Sequence, residues 1–259
     1  MLYKYRNWDN RAKDMLTKGE FYFATPESLN DPLDCAFYTE HVLNGIRENA
    51  SEDFMGKLDS IASRLLDDPI SGPAESVFEA LKTRLTNVGI LSLSKTPNET
   101  LMWSHYADGH KGVSIGIHKQ YFDNISHETY AELDIIGPYN VKYKESPDFH
   151  EVISKYVARE IKTNQDINIL HLLVDILIPV VTTKSLSWKY ESEYRVIRHS
   201  KGALNIPLEY IGEIIVGSKV SETVVSEIKN LIDTPSLQHV AIKKAEFSGN
   251  TFSMAMVDA

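Results

Sequence analysis

A chain of 259 residues, 42% of them hydrophobic and 24% charged, can bury a core without disulfides or metal. Its one cysteine, Cys35, excludes a disulfide framework and a cysteine-based zinc site, and we expect a reducing, cytoplasmic environment. The net charge of −9 disfavours non-specific nucleic-acid binding and docking on anionic lipid, because both need a basic surface.

We expect no signal peptide and no membrane span. The opening "MLYKYRNWDN" is not followed by the apolar core of a signal peptide. The longest apolar stretch, "ILHLLVDILIPVV", contains His171 and Asp175 and is interrupted by Pro179. It therefore predicts a buried helix.

The first third of the chain predicts two strands, a helix and a helical insertion. "LYKYR" and "FYFAT" are predicted strands, and the helix between them has Ala12, Met15 and Leu16 on one face and ends at Gly19. Turn-forming residues follow in "PESLNDPLD". From about residue 41 to residue 88 the pattern is polar and helical, with a break at "DDPISGP", so we expect an insertion of two helices.

Alternating apolar residues predict further strands in the middle of the chain. "GILSLSK" and "GVSIGIH" are predicted strands, joined by a short helix and loop in "NETLMWSHYADGHKG". "YNVKY" is another predicted strand, and residues 149–178 predict one long helix or two. "SLSWKYESEYRVIR" then predicts a strand with a loop before it.

The last part of the chain predicts a strand, a helix and a strand. "EIIVG" is a buried strand, and Ser221 caps a helix. The apolar face of that helix consists of Val224, Val225, Ile228, Leu231 and Ile232. "HVAIKKAEF" is the closing strand, whose direction the pattern leaves open. Together the elements predict one α+β domain over residues 1–259, with a mixed or antiparallel split sheet.

Two acids, Glu191 and Glu193, stand at the start of the strand predicted within "SWKYESEYRVIRHS". Residues two apart in a strand share a face, so both carboxylates are expected to point into one cleft. Close carboxylates raise the pKa of one member of the pair, which suits acid–base catalysis. The alternative is a salt bridge with Lys189 or Arg195 at a strand edge.

Other polar residues are candidates for binding. Ser92 and Ser94 share a face of their strand and suit either a ligand or a nearby backbone group. Arg6, on the first strand with Tyr5, suits either a phosphate or an acid. The sequence contains no glycine-rich phosphate-binding loop.

The segment "MWSHYADGHKG" combines aromatic residues with two histidines. His105 and His110 do not have the spacing of a helical zinc pair, so we expect no metal site. With Trp103 and Tyr106 they predict a half-buried aromatic cluster that holds a loop.

In combination, these segments resemble a bacterial family known as domain of unknown function (DUF) 2971. The resemblance rests on Asn-Asp-Pro, on Trp-x-x-Tyr followed by Gly-Val, and on Glu-x-Glu-Tyr-Arg. It extends from residue 1 to about residue 245. Members of the family occur among bacterial defence and abortive-infection genes, so the resemblance implies a defence or toxin effector.

The order of the elements is similar to that of the ADP-ribosyltransferase fold, whose members bind NAD in a cleft between two small sheets. Their motifs are an Arg or His on the first strand, a Ser-Thr-Ser or Tyr element in mid-chain, and Glu/Gln-x-Glu before an apolar strand. Arg6, Ser92-Leu93-Ser94 and Glu191-Ser192-Glu193 stand at the corresponding positions. Leu93 replaces the threonine of that family, and a change of register would turn Arg6 away from the cleft.

This resemblance implies an enzyme that consumes NAD, by transferring ADP-ribose or by hydrolysis. Glu193 would be the catalytic acid that stabilises an oxocarbenium-like centre, and Glu191 would orient the nucleophile or acceptor. The substrate would be a dinucleotide, and the sequence does not identify the macromolecular acceptor.

The same resemblance implies a set of NAD-binding residues. Arg6 would hold the pyrophosphate or a ribose, and Ser92 would support the nicotinamide ribose. Tyr106 would stack on nicotinamide. Tyr5 and Ser94 complete the cofactor-binding set.

Two other functions stay open. One is a non-catalytic sensor or interaction domain of a phage-defence system, with the aromatic loop at 103–110, and Trp103 in particular, as its contact surface. The other is a metal-dependent nuclease in which Asp31, Asp34 and the two glutamates hold Mg²⁺. The acidic balance of the chain weighs against the nuclease.

Overall fold

The computed structural model describes residues 1–35, 86–125, 132–146, 177–249 and 251–259, together with the single positions 44, 45, 48 and 83. The predicted insertion at about 41–88 and the predicted helices at 149–178 lie almost entirely outside this part of the chain. Within it, no helix is long and apolar enough to cross a membrane.

The described residues form strands and a smaller number of helices. The strands are β1 (Leu2–Arg6), β2 (Glu20–Phe23), β3 (Gly89–Ser94), β4 (Val113–Ile117), β5 (Ile135–Asn140), β6 (Lys142–Lys144), β7 (Thr183–Ser185), β8 (Glu193–Arg198), β9 (Gly202–Asn205), β10 (Ile211–Val216), β11 (Ala241–Phe247) and β12 (Met254–Asp258). The α-helices are α1 (Asn10–Lys18), α2 (Thr100–Tyr106), α3 (Gln120–Asp123) and α4 (Glu222–Ile232). Short 3-10 helices are Pro26–Ser28, Leu186–Glu191 and Leu208–Tyr210.

An eight-stranded sheet, in the order β12-β11-β10-β4-β1-β3-β8-β5, is the centre of the fold. Its neighbouring strands are antiparallel, except that β10 and β11 are parallel and are connected through α4. Two shorter pairs accompany it, β2 with β9 and β6 with β7. This arrangement confirms an α+β fold with a mixed, mostly antiparallel sheet, although the sequence pattern did not predict β7, β9 or β12.

Apolar side chains cover both faces of the sheet, so β4 is buried along its whole length. On one face, Ile115 belongs to the same core as Leu16 of α1 and Ile228 of α4. On the other face, Tyr5 packs edge-on against Trp103 of α2, with 5.1 Å between ring centres. Helices on both sides therefore fix the position of β1.

Helices α1 and α4 form where the sequence predicts them. The Asp9 carboxylate accepts the Ala12 N–H at 2.9 Å and caps the start of α1. Gly19 ends the helix with a φ of 67°, and a Cβ there would lie 1.9 Å from the Ile206 carbonyl oxygen. Ser221 caps α4, as predicted.

The sheet opens between β1 and β3. Strand β1 pairs with β4 along its whole length, but with β3 only through Tyr3 and Ser94. Ile90, at the other end of β3, pairs instead with Ala24 through two backbone hydrogen bonds of 2.8 and 2.9 Å. Among the described strands, none pairs with this edge of β3 between those two points, which leaves a gap in the sheet.

The chain before β8 differs from the prediction. Glu191 is the last residue of a 3-10 helix, and Ser192 has a left-handed φ of 46°. Non-glycine residues rarely adopt this conformation, and here it turns the chain between the two acids. The expectation that Glu191 and Glu193 share a strand is therefore wrong. Similarly, the predicted strand "YNVKY" consists of the end of β5 and β6, with Val141 between them.

Candidate functional site

A cavity of about 260 Å³ lies at the gap between β1 and β3. Its walls come from those two strands, β8, α2 and the segments that follow β2 and precede β8. The polar residues that line it are Tyr3, Lys4, Tyr5, Tyr22, Ser28, Asn30, Asp34, Ser92, Ser94, Tyr106, Lys184, Glu191, Glu193 and Arg195. Because β1, β3 and β8 are neighbours in the sheet, residues distant in sequence meet here.

The structure brings most of the predicted site residues to this cavity, namely Tyr5, Ser92, Ser94, Tyr106, Glu191 and Glu193. Arg6 does not line the cavity, and its Nη2 atom lies 3.2 Å from Asp9 Oδ2. Lys4, which is two residues earlier and on the same face of β1, lines the cavity in its place. The prediction that Arg6 lines the cavity is therefore wrong. The basic residue that β1 contributes to the cavity is Lys4, two positions earlier in the chain.

Arg195 is the centre of a buried ion cluster and is 0% exposed. Its Nη1 and Nη2 atoms donate to the two oxygens of Asp34 at 3.1 and 2.5 Å. Its Nε and Nη2 atoms donate to the two oxygens of Glu193 at 2.8 and 3.1 Å, and Nη1 also donates to the Val181 carbonyl at 2.7 Å. These contacts engage all three guanidinium nitrogens, so the group is held in one orientation.

Lys184 on β7 joins the two glutamates. Its Nζ atom lies 2.6 Å from Glu191 Oε2, 3.4 Å from Glu193 Oε2 and 3.7 Å from Asp34 Oδ2. Burial alone would lower the pKa of Lys184, but the charges of the three acids raise it above its usual value. Lys184 is therefore a permanent cation, and it also lies 4.9 Å from the centre of the Trp188 ring.

The environments of the two glutamates shift their pKa values in opposite directions. Burial raises the pKa of Glu191, and Lys184 offsets this only in part. Burial would also raise the pKa of Glu193, but Arg195 and Lys184 lower it to about 2. Glu193 is therefore a fixed anion, whereas the Glu191 carboxylate is the stronger base of the two. Such a divergence is typical of acid–base pairs in active sites.

Tyr106 connects α2 to Glu191. Its hydroxyl donates to Glu191 Oε1 at 2.5 Å and accepts a hydrogen bond from the Asn30 side chain at 2.8 Å. Burial and the Glu191 carboxylate raise the pKa of Tyr106, so the hydroxyl is a neutral donor. The Glu191 carboxylate is thus held between Tyr106 and Lys184.

The two serines of β3 contact the acids in different ways. The Ser94 hydroxyl donates to the Glu191 carbonyl at 2.8 Å and so fixes the backbone of that residue. The Ser92 side chain faces Glu193 and helps, after Arg195 and Lys184, to lower the pKa of that carboxyl. Ser94 therefore positions the site, while Ser92 remains partly accessible from the cavity.

Cys35 lies beside the ion cluster and not in the cavity wall. Its Sγ atom is 3.1 Å from Asp34 Oδ1 and 3.2 Å from Arg195 Nη1. Burial raises the pKa of the Cys35 thiol well above its usual value. A buried, protonated thiol is a poor nucleophile, so Cys35 supports packing and not catalysis.

Sequence reasoning missed both cavity lysines, Lys4 and Lys184. Lys4 lies between two buried tyrosines in β1. Lys184 directly follows the mostly buried segment "PVVTT". A lysine within a buried stretch needs an acid or a ligand, and this signal could have drawn attention to both. Sequence reasoning named Arg195 as one possible partner of an acid at a strand edge. The structure pairs Arg195 with Glu193, but the pair is buried in β8, which lies between β3 and β5.

The aromatic loop contains a buried tryptophan and exposed polar residues. Trp103 is 0% exposed and donates its indole N–H to the Pro97 carbonyl at 2.8 Å. It is therefore a core residue and does not present a contact surface to a partner. The His110 ring lies 3.0 Å from the Ser104 hydroxyl. Within the described residues, no group of three His, Cys, Asp or Glu side chains could hold a metal ion.

The ion cluster brings acidic and basic side chains together beside the cavity. Asp34, Glu191 and Glu193 provide three negative charges, and Lys184 and Arg195 provide two positive charges, which leaves one net negative charge when Glu191 is ionised. The arrangement can therefore stabilise a developing positive charge in a partly dry cavity. Lys4 adds a separate positive charge at β1.

Residues 102–196 match a family described as "Protein of unknown function (DUF2971)". The matched segment contains most of α2, all of β4 and the first four residues of β8, with both glutamates and Tyr106, and it supports the resemblance to that family. No curated protein and no solved structure shows significant similarity to the chain.

Proposed function

We propose that the chain consumes NAD, by cleaving the bond between nicotinamide and ribose in the manner of an ADP-ribosyltransferase. The observation that carries this proposal is the meeting of Ser92, Tyr106, Glu191 and Glu193 at one cavity in the gap of the sheet. The strands to which the sequence resemblance assigns the three transferase motifs, β1, β3 and β8, are consecutive neighbours in the sheet.

The chemistry requires a stable negative charge near the ribose. As the carbon–nitrogen bond breaks, its electron pair leaves with nicotinamide and positive charge develops on the sugar carbon. Glu193 supplies a carboxylate that stays ionised because its pKa is lowered to about 2. A preorganised charge in a cavity shielded from water is effective in such a step, because it needs little reorganisation.

The second requirement is a base for the attacking group. Water or the hydroxyl of an acceptor forms a new oxygen–carbon bond at the sugar and loses one proton. Glu191, whose pKa is raised, takes up this proton on the carboxylate that Tyr106 and Lys184 hold in place. With water the products are nicotinamide and ADP-ribose, and with an acceptor the ADP-ribose is transferred.

In a bacterial cell, this activity would make the chain a defence or toxin effector that depletes NAD or modifies a macromolecule. This role is what the sequence resemblance implies; the family matched by residues 102–196 is itself described as one of unknown function. The acceptor is a separate question, which labelled NAD and a cell extract would answer.

The test compares Glu193→Gln with Glu213→Gln. Glu213 is also buried and ion-paired, through Lys243 at 2.6 Å, and it does not line the cavity. We expect nicotinamide release from NAD by the wild type and the Glu213 variant, and a loss of about 100-fold or more for Glu193→Gln. Equal rates for both variants, with both folded, would refute the proposal.

A non-catalytic nucleotide sensor is the second candidate. It is favoured by the fact that Asp34, Glu191 and Glu193 are all bound by Lys184 or Arg195. It predicts that NAD raises the melting temperature of the chain and is recovered intact. The same pairing disfavours the nuclease, because carboxylates that hold Mg²⁺ need free oxygens. Phosphodiester cleavage that EDTA abolishes would reinstate that alternative.

A further inference from the structure

We infer that Lys4 recognises the phosphate of a nucleotide bound in the cavity. The substrate would then lie with a phosphate at the gap between β1 and β3 and with nicotinamide toward Glu191 and Glu193. The identity of the nucleotide rests on the proposed function. The presence of an anion site at Lys4 rests on the structure around it.

The Lys4 ammonium has unused hydrogen-bonding capacity. Its Nζ atom donates to the Ser92 carbonyl at 2.9 Å. An ammonium has three N–H donors, and within the described part of the chain no carboxylate forms an ion pair with Lys4. An anion at the cavity would supply the acceptors for the remaining donors and neutralise the charge.

The acids closest to Lys4 are already committed to other cations. Glu193 is bound by Arg195 and Lys184, and Glu191 is bound by Lys184 and Tyr106. They favour the charged form of Lys4 from a distance, but among the described residues no acid forms a direct ion pair with it. The cavity is therefore polarised, with its positive group on β1 and its negative groups on and before β8.

The backbone of β3 points polar groups into the same gap. In an antiparallel strand, the N–H and C=O of alternate residues face the same edge. Both backbone groups of Ile90 bond to Ala24 at the edge that faces the gap, so those of Ser92 face that edge as well. The Ser92 carbonyl meets Lys4 there, and the Ser92 N–H is directed to the same place. An ammonium and an amide N–H together form a suitable phosphate site.

The size and lining of the cavity suit one nucleotide. About 260 Å³ is close to the lower limit of roughly 300–1,000 Å³ for ligand pockets, so the cavity accommodates half of a dinucleotide. Tyrosine rings from three elements, Tyr5, Tyr22 and Tyr106, line it and provide faces for a planar base. The combination of an anion site and aromatic walls indicates a nucleotide.

The experiment uses nicotinamide mononucleotide and nicotinamide riboside, which differ by one phosphate. Their affinities for the full chain are measured by isothermal titration calorimetry at low temperature. We expect the wild type to bind the mononucleotide about tenfold or more tightly than the riboside, which is the usual effect of one charge-assisted hydrogen bond. Lys4→Gln should bind both ligands equally, and Lys4→Arg should retain most of the preference.

Arg6→Gln is the matched control, because Arg6 is a cation on the same face of β1 outside the cavity. It should keep the wild-type preference. Equal affinities of the wild type for the two ligands, or a preference that survives in Lys4→Gln, would overturn the inference. Nicotinamide release from NAD, measured in parallel, separates the two claims: turnover without a phosphate preference contradicts only the role of Lys4.

Discussion

The Tyr106 hydroxyl donates a 2.5 Å hydrogen bond to the Glu191 carboxylate, across 85 positions of sequence. This bond joins α2 to the chain segment immediately before β8 and holds the acid at the cavity. It also favours the ionised form of Glu191, because the donor stabilises negative charge.

Tyr106→Phe should therefore raise the pKa of Glu191 further. If ionised Glu191 accepts the proton of the nucleophile, the acidic limb of the pH–rate profile moves to higher pH, and the rate on that limb falls. Tyr121→Phe is the control, since Tyr121 is half-buried on α3 and does not line the cavity. An unchanged profile for Tyr106→Phe would show that this bond does not tune the catalytic base.

Replacement of Arg195 tests the ion cluster. Arg195→Met leaves Asp34 and Glu193 buried without their main partner, and we expect a loss of about 3–5 kcal/mol in the free energy of unfolding. Lys243→Met removes the ion-pair partner of Glu213, but Lys243 is partly exposed and Glu213 keeps the hydrogen bond from the Tyr3 hydroxyl, so its cost should be smaller than that of Arg195→Met. Urea denaturation measures both values, and equal losses would show that the cluster does not depend on Arg195.

Acidification should destabilise the chain through Glu193. Its pKa in the folded chain is about 2, below the ordinary value of 4.5. Its contribution to stability is therefore present above pH 4.5 and is lost as the pH falls toward 2. In Glu193→Gln this part of the pH dependence should disappear. A melting temperature that falls equally in wild type and variant between those pH values would assign the acid sensitivity to other groups.

Nucleotide binding should weaken at alkaline pH through Lys4. Burial, together with the charge of Arg6, lowers the pKa of Lys4 to about 8, while Glu191 and Glu193 oppose this shift. The bound phosphate needs the ammonium form, so affinity for nicotinamide mononucleotide should fall as the pH rises above about 8. Affinity for the riboside should change much less. Parallel losses for both ligands would mean that another group titrates.

Much of the sheet could be predicted from the sequence, because β1, β3 and β4 are short apolar segments whose residues are mostly buried. The same is true of α1 and α4, whose caps Gly19 and Ser221 carry local signals. Strands β7, β9 and β12 are short or partly exposed at alternate positions, and their pairing depends on distant partners. Local pattern therefore does not define them.

The types of residue at the site could be predicted from the sequence better than their arrangement in space. Glu191 and Glu193 do meet at one cavity, but through the left-handed turn at Ser192 and not through strand alternation. The choice between Arg6 and Lys4 depends on where β1 separates from β3, which is a tertiary feature. The role of Lys184 depends likewise on a contact between β7 and the segment before β8.

Cleavage of NAD is tested most directly by incubating NAD with the purified chain and following NAD and nicotinamide by proton NMR. We expect free nicotinamide to appear in step with the loss of NAD, at a rate proportional to protein concentration, and Glu193→Gln to abolish this release. NAD that stays intact, also with a cell extract present as a source of acceptors, together with a melting temperature that NAD does not change, would contradict the proposal.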